Sequence, residues 1–155
     1  MKGDVVKQKV IQSFRDLLVY QKARALAKEI FMLTKTFPKE EMYALTDQIR
    51  RSSRSIGGQI AEGWAKRRYE KHFVSKLTDA DGEQQETQHW IDTALDCGYW
   101  DTITAQRLCQ QCEEVGRLLG GMIAKADTFV DPSPFQLREA AVEYIIAPDL
   151  DMEDA

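Results

Sequence analysis

One short motif in the sequence has the spacing of a di-iron site. Glu86 and His89 are three residues apart, the spacing with which carboxylate bundles project a Glu and a His inward from one helix. A second copy of the motif is absent, because His72, the only other histidine, has Tyr69 three residues before it. We therefore expect His89 to be a surface or interface residue rather than an iron ligand.

A second motif, the pair Cys109 and Cys112, has the Cys-x-x-Cys spacing of redox and zinc sites. Cys97 is a third thiol, but the sequence places no fourth ligand nearby, and a structural zinc site needs four. Cys112 also lies on an apolar helical seam, so a small buried side chain is the better interpretation. We predict no catalytic residue, no metal and no cofactor.

A basic stretch between residues 50 and 76 is the best candidate for binding phosphate groups. It has eight basic residues against two acidic ones, and arginine offers paired donors to phosphate oxygens. Acidic residues precede some of these bases by one helical turn, and nine acids follow between residues 79 and 114. A contact between subunits and a plain solvated face therefore remain alternatives. The candidate residues are Arg50, Arg51, Arg54, Lys66, Arg67, Arg68 and Lys71.

Small residues mark a second candidate surface in the same segment. Ser53, Gly57 and Ala61 recur every four residues, so one stripe of the predicted helix is almost bare backbone. Glycine inside a helix costs about 1 kcal/mol relative to alanine, which favours a close approach of another helix there. The residues expected to serve helix packing or assembly are Ser53, Gly57, Ala61, Glu62, Gly63 and Trp64.

Four helices must position these residues. Apolar side chains recur at alternating spacings of three and four through most of the chain, and no segment alternates as a strand would. The sequence predicts an all-α antiparallel up-and-down four-helix bundle with a C-terminal extension. We place an arm at 1–12, the bundle at 13–126 and an acidic tail at 127–155, with a short helix at 134–146. The predicted helices cover about 14–36, 40–63, 69–97 and 102–126.

Composition is that of a protein without a membrane segment. The 155 residues have a net charge of -4, and eight acids against one base in the tail account for the negative sign. No apolar run approaches the roughly 18–20 residues of a membrane helix. Three cysteines in a chain without a signal core favour reduced thiols. We therefore expect a cytoplasmic protein.

Several short motifs occur along the predicted helices: Tyr20-Gln21-Lys22-Ala23, Phe37-Pro38, Arg50-Arg51, Ile60-Ala61-Glu62-Gly63 and Gly98-Tyr99. Through these motifs the chain resembles a known family of four-helix bundles, encoded within intervening sequences of bacterial large-subunit ribosomal RNA genes. It implies a bundle that assembles into a ring, often a pentamer, with no known enzymatic activity. A related bundle, the accessory protein of diversity-generating retroelements, is a basic pentamer that binds nucleic acid and a reverse transcriptase.

The resemblance and the residues together predict a non-enzymatic, ring-forming scaffold or adaptor, pentameric and built from copies of this chain. The alternative is an accessory protein that binds nucleic acid in association with a ribosome or a reverse transcriptase. In that case the basic residues would contact RNA, and the acidic tail would compete for the same surface.

Overall fold

The computed structural model describes residues 11–130 and 142–146. Four long helices dominate: α1 (Leu18–Thr34), α2 (Leu45–Ala65), α3 (Glu70–Asp96) and α4 (Thr102–Ala124). A short helix α5 (Ala126–Phe129) follows, and 3-10 turns occupy Phe14–Asp16, Lys39–Glu41 and Val142–Tyr144. Among the described residues, none of the helices has the length and apolar character needed to span a bilayer.

The predicted four-helix bundle is confirmed. Each long helix packs against its neighbours in the chain, and α1 packs against α4, which closes the arrangement. The α1/α2 pair forms one layer and the α3/α4 pair the other. We call the end with residues 35–44 and 97–101 the upper pole, and the end with residues 66–69 and 125–130 the lower pole.

The core consists of the seam residues that the three-and-four spacing singles out. Ile30, Ile56, Leu77 and Leu108 represent the four long helices, and each is fully buried. Burying a side chain of this size is worth about 1.5–3 kcal/mol. The bundle is therefore held mainly by apolar packing between helices, which gives the surface side chains a rigid support.

The first two helices begin later than the spacing predicts. Ser13 and Asp16 form a capping box, but they cap a 3-10 turn, and Leu17 is extended before α1 starts. At the second helix the Lys39–Glu41 turn comes first, and the Glu41 carboxylate then accepts from the Leu45 amide at 3.1 Å. This side chain satisfies one of the free donors at the start of α2.

Two polar residues in the middle of α3, Gln84 and Thr87, are buried and hydrogen-bonded. The Thr87 hydroxyl lies 3.0 Å from the Ser52 hydroxyl of α2 and 2.8 Å from the Glu83 carbonyl oxygen. Gln84 donates to Asp81 at 2.9 Å and accepts from Gln88 at 2.7 Å. These bonds satisfy groups that would otherwise destabilise the core.

A separate aromatic cluster closes the upper pole. Phe37 packs against the rings of Tyr99 and Trp100, each with its centroid 5.2 Å away. The Trp100 indole donates to the Ile91 carbonyl at 3.1 Å. Gly98 ends α3 with φ of 74°, a backbone conformation that favours glycine.

Residues 142–146 dock on the lower pole, and we call them the strap. Tyr144 is 5% exposed, and its ring packs against Phe129. Ile145 forms an isolated antiparallel bridge with Leu17, and the Ile146 amide donates to the Asp16 carbonyl at 3.1 Å. Most of the helix predicted over 134–146 lies outside the described residues; its last part is a 3-10 turn followed by this bridge.

Candidate interaction surface

The seven candidate phosphate-binding residues do not form one patch. Arg50 and Arg54 lie on α2 beside α1, whereas residues 66–71 belong to the turn into α3 at the lower pole. At 1.5 Å per residue, the twelve residues from Arg54 to Lys66 place the two groups about 18 Å apart. Arg51 belongs to neither, because its charge acts on the α3 carboxylate Glu83, although burial and the neighbouring Glu86 still raise the pKa of that carboxyl group.

The group on α2 surrounds an aromatic residue of α1. The charged ends of Lys35, Arg50 and Arg54 lie 5.0, 4.8 and 5.3 Å from the Phe31 ring centroid. Arg50 is further held by a 2.8 Å bond from its Nε to the Thr34 hydroxyl. We call these four residues, Phe31, Lys35, Arg50 and Arg54, the Phe31 cluster. Cations stack favourably on the face of an aromatic ring, so the three charges are positioned together.

The cations of the Phe31 cluster have no carboxylate partner among the described residues. The ion pairs found there join other groups: Lys76 to Glu62 and Asp79, Arg107 to Glu29, Lys22 and Arg117 to Glu114, and Lys125 to Glu143. Three positive charges held on one surface, with no carboxylate of the described chain beside them, create a positive potential outside α1 and α2.

A shallow groove of about 240 Å³ runs beside this cluster between α1 and α2. Small residues form its floor, and they include the predicted packing residues Ser53, Gly57 and Ala61. A Cβ on Gly57 would lie 3.5 Å from the Tyr20 ring, whereas Gly58 has open space. The small-residue stripe therefore lines an outer groove, and within the subunit an aromatic side chain, not a helix backbone, approaches it.

Two of the remaining packing candidates, Glu62 and Gly63, contact α3 inside the subunit. Gly63 is buried, and a Cβ there would lie 3.1 Å from the Lys76 Cβ. Glu62 pairs with Lys76 at 2.9 Å, and this contact lowers the pKa of Glu62 and raises that of Lys76. Trp64 is 5% exposed and supports Arg67, whose guanidinium lies 4.2 Å from the indole centroid.

The lower-pole turn carries the second basic group. Lys66, Arg68 and Lys71 are exposed and unpaired among the described residues, and Tyr69 beside them is 61% exposed. Arg67 is held more tightly, because it donates to the Trp64 carbonyl at 3.0 Å. An open concavity here is lined by residues 68–72 together with Val74 and Ser75.

The α3/α4 layer is acidic. Residues 70–124 contain ten acidic and four basic residues, whereas residues 18–65 contain five acidic and eight basic ones. Asp92 on α3 and Glu113 on α4 are exposed and lie near each other, since after burial both contribute to the raised pKa of the Cys109 thiol. Because the two layers lie on opposite sides of the bundle, the subunit is electrically polarised across its width.

Comparison with known proteins shows the family. The family model for the 23S rRNA-intervening sequence protein matches residues 15–121. The chain belongs to this family.

A solved member of the S23 ribosomal protein family from Bacteroides thetaiotaomicron, described as a protein with unknown function, has a similar fold. It is 27% identical, with a TM-score of 0.62, and the match covers 68% of this chain and 95% of that one. A search of curated proteins returned no match. The 23S rRNA-intervening sequence protein model ends at residue 121, so the strap and the acidic tail lie beyond the part that the family shares.

The two motifs with the spacing of metal or redox sites lie on different helices, Glu86 and His89 on α3 and Cys109 and Cys112 on α4. Cys112 is buried, and burial raises the pKa of its thiol to about 12; burial also raises the pKa of Cys109. Glu86 and His89 are exposed on α3. Within residues 11–130 and 142–146, three or more His, Cys, Asp or Glu side chains do not converge as metal ligands.

Sequence reasoning missed Phe31 and Lys35, the α1 half of the Phe31 cluster. Neither residue lies on the apolar seam of α1, so the spacing of core residues does not indicate them. A signal was present, because Arg24, Lys28, Phe31 and Lys35 recur at spacings of four, three and four. This is one exposed face of a helix with an aromatic residue among bases.

Proposed function

We propose that this 23S rRNA-intervening sequence protein is a non-enzymatic scaffold that assembles head to tail into a closed ring. The basic α1/α2 layer of one subunit contacts the acidic α3/α4 layer of the next. A contact between two different surfaces forms a ring when the rotation between subunits closes. The resemblance to ring-forming bundles implies five subunits.

The observation that carries the proposal is the unpaired Phe31 cluster opposite an acidic layer. Among the described residues, no ion pair within the subunit uses the cations of the Phe31 cluster. The ion pair found between α2 and α3 has the opposite sense, with its acid, Glu62, on α2 and its base, Lys76, on α3. Lys35 and Arg54 are exposed, and their charged ends lie on the Phe31 ring of α1. A neighbouring subunit is therefore the better source of their carboxylate partners.

The first experiment measures molar mass by light scattering for Lys35→Glu/Arg54→Glu. Both side chains are exposed, so the double substitution should keep the fold and release smaller species at about 150 mM salt. Arg68→Glu/Lys71→Glu is the matched control, because it makes the same charge change at the lower pole. An unchanged assembly in the first variant would exclude the α1/α2 layer as the interface.

A mixing experiment tests the head-to-tail geometry. Asp92→Lys/Glu113→Lys disables the acidic layer and leaves the basic layer intact. Each double variant alone then keeps one working surface, whereas in an equimolar mixture the native surfaces and the reversed surfaces are both complementary in charge, so mixing should restore assemblies larger than either variant forms alone. Mixtures that stay monomeric would contradict a contact between these two layers.

A second candidate function is nucleic-acid binding, and the lower-pole turn favours it. Lys66, Arg68 and Lys71 form no ion pair among the described residues, although Lys66 helps to lower the pKa of Glu62, and Tyr69 offers an exposed ring on which an unpaired base could stack. Anisotropy titration of labelled structured RNA and duplex DNA at about 50 and about 200 mM salt tests it, because phosphate contacts produce a steep salt dependence. Arg68→Glu/Lys71→Glu should abolish such binding, whereas Lys35→Glu/Arg54→Glu should not.

A further inference from the structure

We infer that the groove between α1 and α2 is a binding site for the acidic segment 149–154 of the same chain, which thereby limits ring assembly. The inference rests on the proposed function, since the ring uses the same basic layer. It adds a regulatory contact: a subunit whose groove holds its own carboxylates offers fewer free cations to a neighbour.

The groove has the chemistry that such a segment requires. Its rim carries Arg24 and Arg54, and the rest of the Phe31 cluster continues it toward the upper pole. These cations lack carboxylate partners among the described residues. Its floor is made of alanine and glycine, and Tyr20 borders it. A ligand with several carboxylates and small apolar groups between them suits this combination.

Acidic and apolar residues alternate along most of the segment. Asp149, Asp151 and Glu153 are separated by Leu150 and Met152, and Asp154 follows. In an extended chain, successive side chains project to opposite sides. One side of an extended segment would present Asp149, Asp151 and Glu153 to the rim. The other side would present Leu150 and Met152 to the apolar floor, with Asp154 beyond them.

The strap delivers the chain to the correct end of the groove. Ile146 is bonded to Asp16, and Phe14, two residues away, lines the lower end of the groove and packs on Tyr20 with ring centroids 4.8 Å apart. Arg24 is about 10 Å and Phe31 about 20 Å along α1 from Leu17, at 1.5 Å per residue. Residues 147–153 span at most about 24 Å when extended, which is sufficient.

Attachment in the same chain makes a weak contact effective. A tethered segment experiences an effective concentration of about 1 mM, so a segment that binds with a Kd of about 0.1 mM occupies its site roughly nine-tenths of the time. A free peptide of the same sequence should then bind the intact chain about tenfold more weakly than a chain whose own segment is neutralised.

The experiment uses a fluorescent peptide of residues 147–155 and the full-length variant Asp149→Asn/Asp151→Asn/Glu153→Gln/Asp154→Asn. By anisotropy at about 50 mM salt, the peptide should bind this variant about tenfold more tightly than the unmodified chain. Adding Arg24→Gln/Arg54→Gln should remove the binding, and the control Arg68→Gln/Lys71→Gln should leave it intact. Circular dichroism melting verifies that each variant is folded.

Three outcomes would overturn the inference: no peptide binding to the neutralised variant, binding that persists without Arg24 and Arg54, or equal binding to both chains. Tight binding of labelled RNA by the unmodified chain that is lost with Arg24→Gln/Arg54→Gln would assign the groove to nucleic acid instead. Failure of the ring is a separate result, because the peptide titration is carried out at a protein concentration at which light scattering finds single subunits, so no neighbour competes for the groove. If both hold, the neutralised variant should also assemble at a lower protein concentration.

Discussion

At the scale of single residues, the described structure distinguishes positions that share a type but not an environment. Gly120 and Gly121 are neighbours on α4, yet a Cβ at Gly120 has open space, whereas one at Gly121 would collide with the Tyr144 hydroxyl. Cys97 is exposed and Cys112 buried. Thr78 and Thr87 both bond the preceding turn of α3, but the Thr87 hydroxyl also reaches Ser52. Each pair provides a test with its own control.

Gly121→Ala should weaken the strap. The added methyl displaces Tyr144 from α4, and overpacking of this kind costs about 1–3 kcal/mol in free energy of unfolding. Gly120→Ala should be neutral or stabilise by up to about 1 kcal/mol, because it only improves helix propensity. Urea unfolding of both variants measures the difference, and equal stability would show that Tyr144 does not pack against Gly121.

Thr87→Val should destabilise the bundle by about 1–2 kcal/mol, because it leaves the buried Ser52 hydroxyl without this partner. Thr78→Val, at an exposed position of the same helix, should change the free energy of unfolding by less than about 0.5 kcal/mol. Chemical denaturation followed by circular dichroism compares them. A Ser52→Ala/Thr87→Val double variant should lose less than the sum of the single variants, since the two hydroxyls are coupled.

Alkylation at pH 8 should follow burial and thiol pKa. Iodoacetamide reacts with the thiolate, so the exposed Cys97 should be modified first and Cys109, whose pKa is raised, more slowly. Cys112, with a pKa of about 12, should react only after unfolding in denaturant. Mass spectrometry of digested samples assigns the order, and early modification of Cys112 would show that the α4 seam opens readily.

At the scale of elements, the turns at the upper pole are tied together by one carboxylate. Glu41 accepts from the Leu45 amide with one oxygen and from the Tyr99 hydroxyl, at 3.0 Å, with the other. It therefore joins the start of α2 to the turn between α3 and α4. Loss of either partner should loosen the pole while leaving the main core intact.

The pH dependence of Tyr99 follows from this contact. Burial and the bond to Glu41 raise the pKa of Tyr99 to about 12, above the value of about 10 in an unfolded chain. The neutral phenol is favoured in the folded state, so its contribution to stability is complete below pH 10 and is lost as the pH rises toward 12. Ultraviolet titration should show a late-ionising tyrosine that disappears in Tyr99→Phe. A titration unchanged by that substitution would contradict the assignment.

Much of the element structure follows from the spacing of apolar residues. The seams through Ile30, Ile56, Leu77 and Leu108 depend only on local sequence and the helical repeat, so they were predictable. The late start of α1 was not, because Leu17 is held extended by Ile145, which lies 128 positions further along the chain. The residues around Leu17 contain no pattern that indicates a pairing partner so far along the chain.

The candidate site was predictable only in part, for a similar reason. Arg50 and Arg54 were identified as basic residues, but their grouping with Lys35 around Phe31 depends on how α1 and α2 pack. The separation from Lys66 and its neighbours follows from helix length alone. That part could have been deduced from a rise of about 1.5 Å per residue.

At the scale of the whole molecule, charge is arranged by layer. The eight bases and five acids of residues 18–65 oppose the four bases and ten acids of residues 70–124 across the bundle width. Attraction between such layers of different subunits weakens as salt shortens the screening length, from about 10 Å at 0.1 M to about 3 Å at 1 M.

Assembly of the proposed ring should therefore depend on ionic strength. Sedimentation velocity at about 0.05, 0.15 and 1 M salt should show the ring giving way to smaller species as salt increases. Assembly that is equal or stronger at 1 M salt would indicate an apolar interface and contradict the pairing of charged layers.

The bridge between Leu17 and Ile145 also sets an order of events during protein synthesis. The ribosome makes Leu17 early, but its partner follows only after all four long helices have been made. Until then the pocket formed by Phe129 and Gly121 has no Tyr144 to fill it, and the base of α1 lacks its backbone partner. The strap contacts both Leu17 and Phe129, so it can dock only when nearly the whole described chain has left the ribosome, and it is the last part of the lower pole to be supplied.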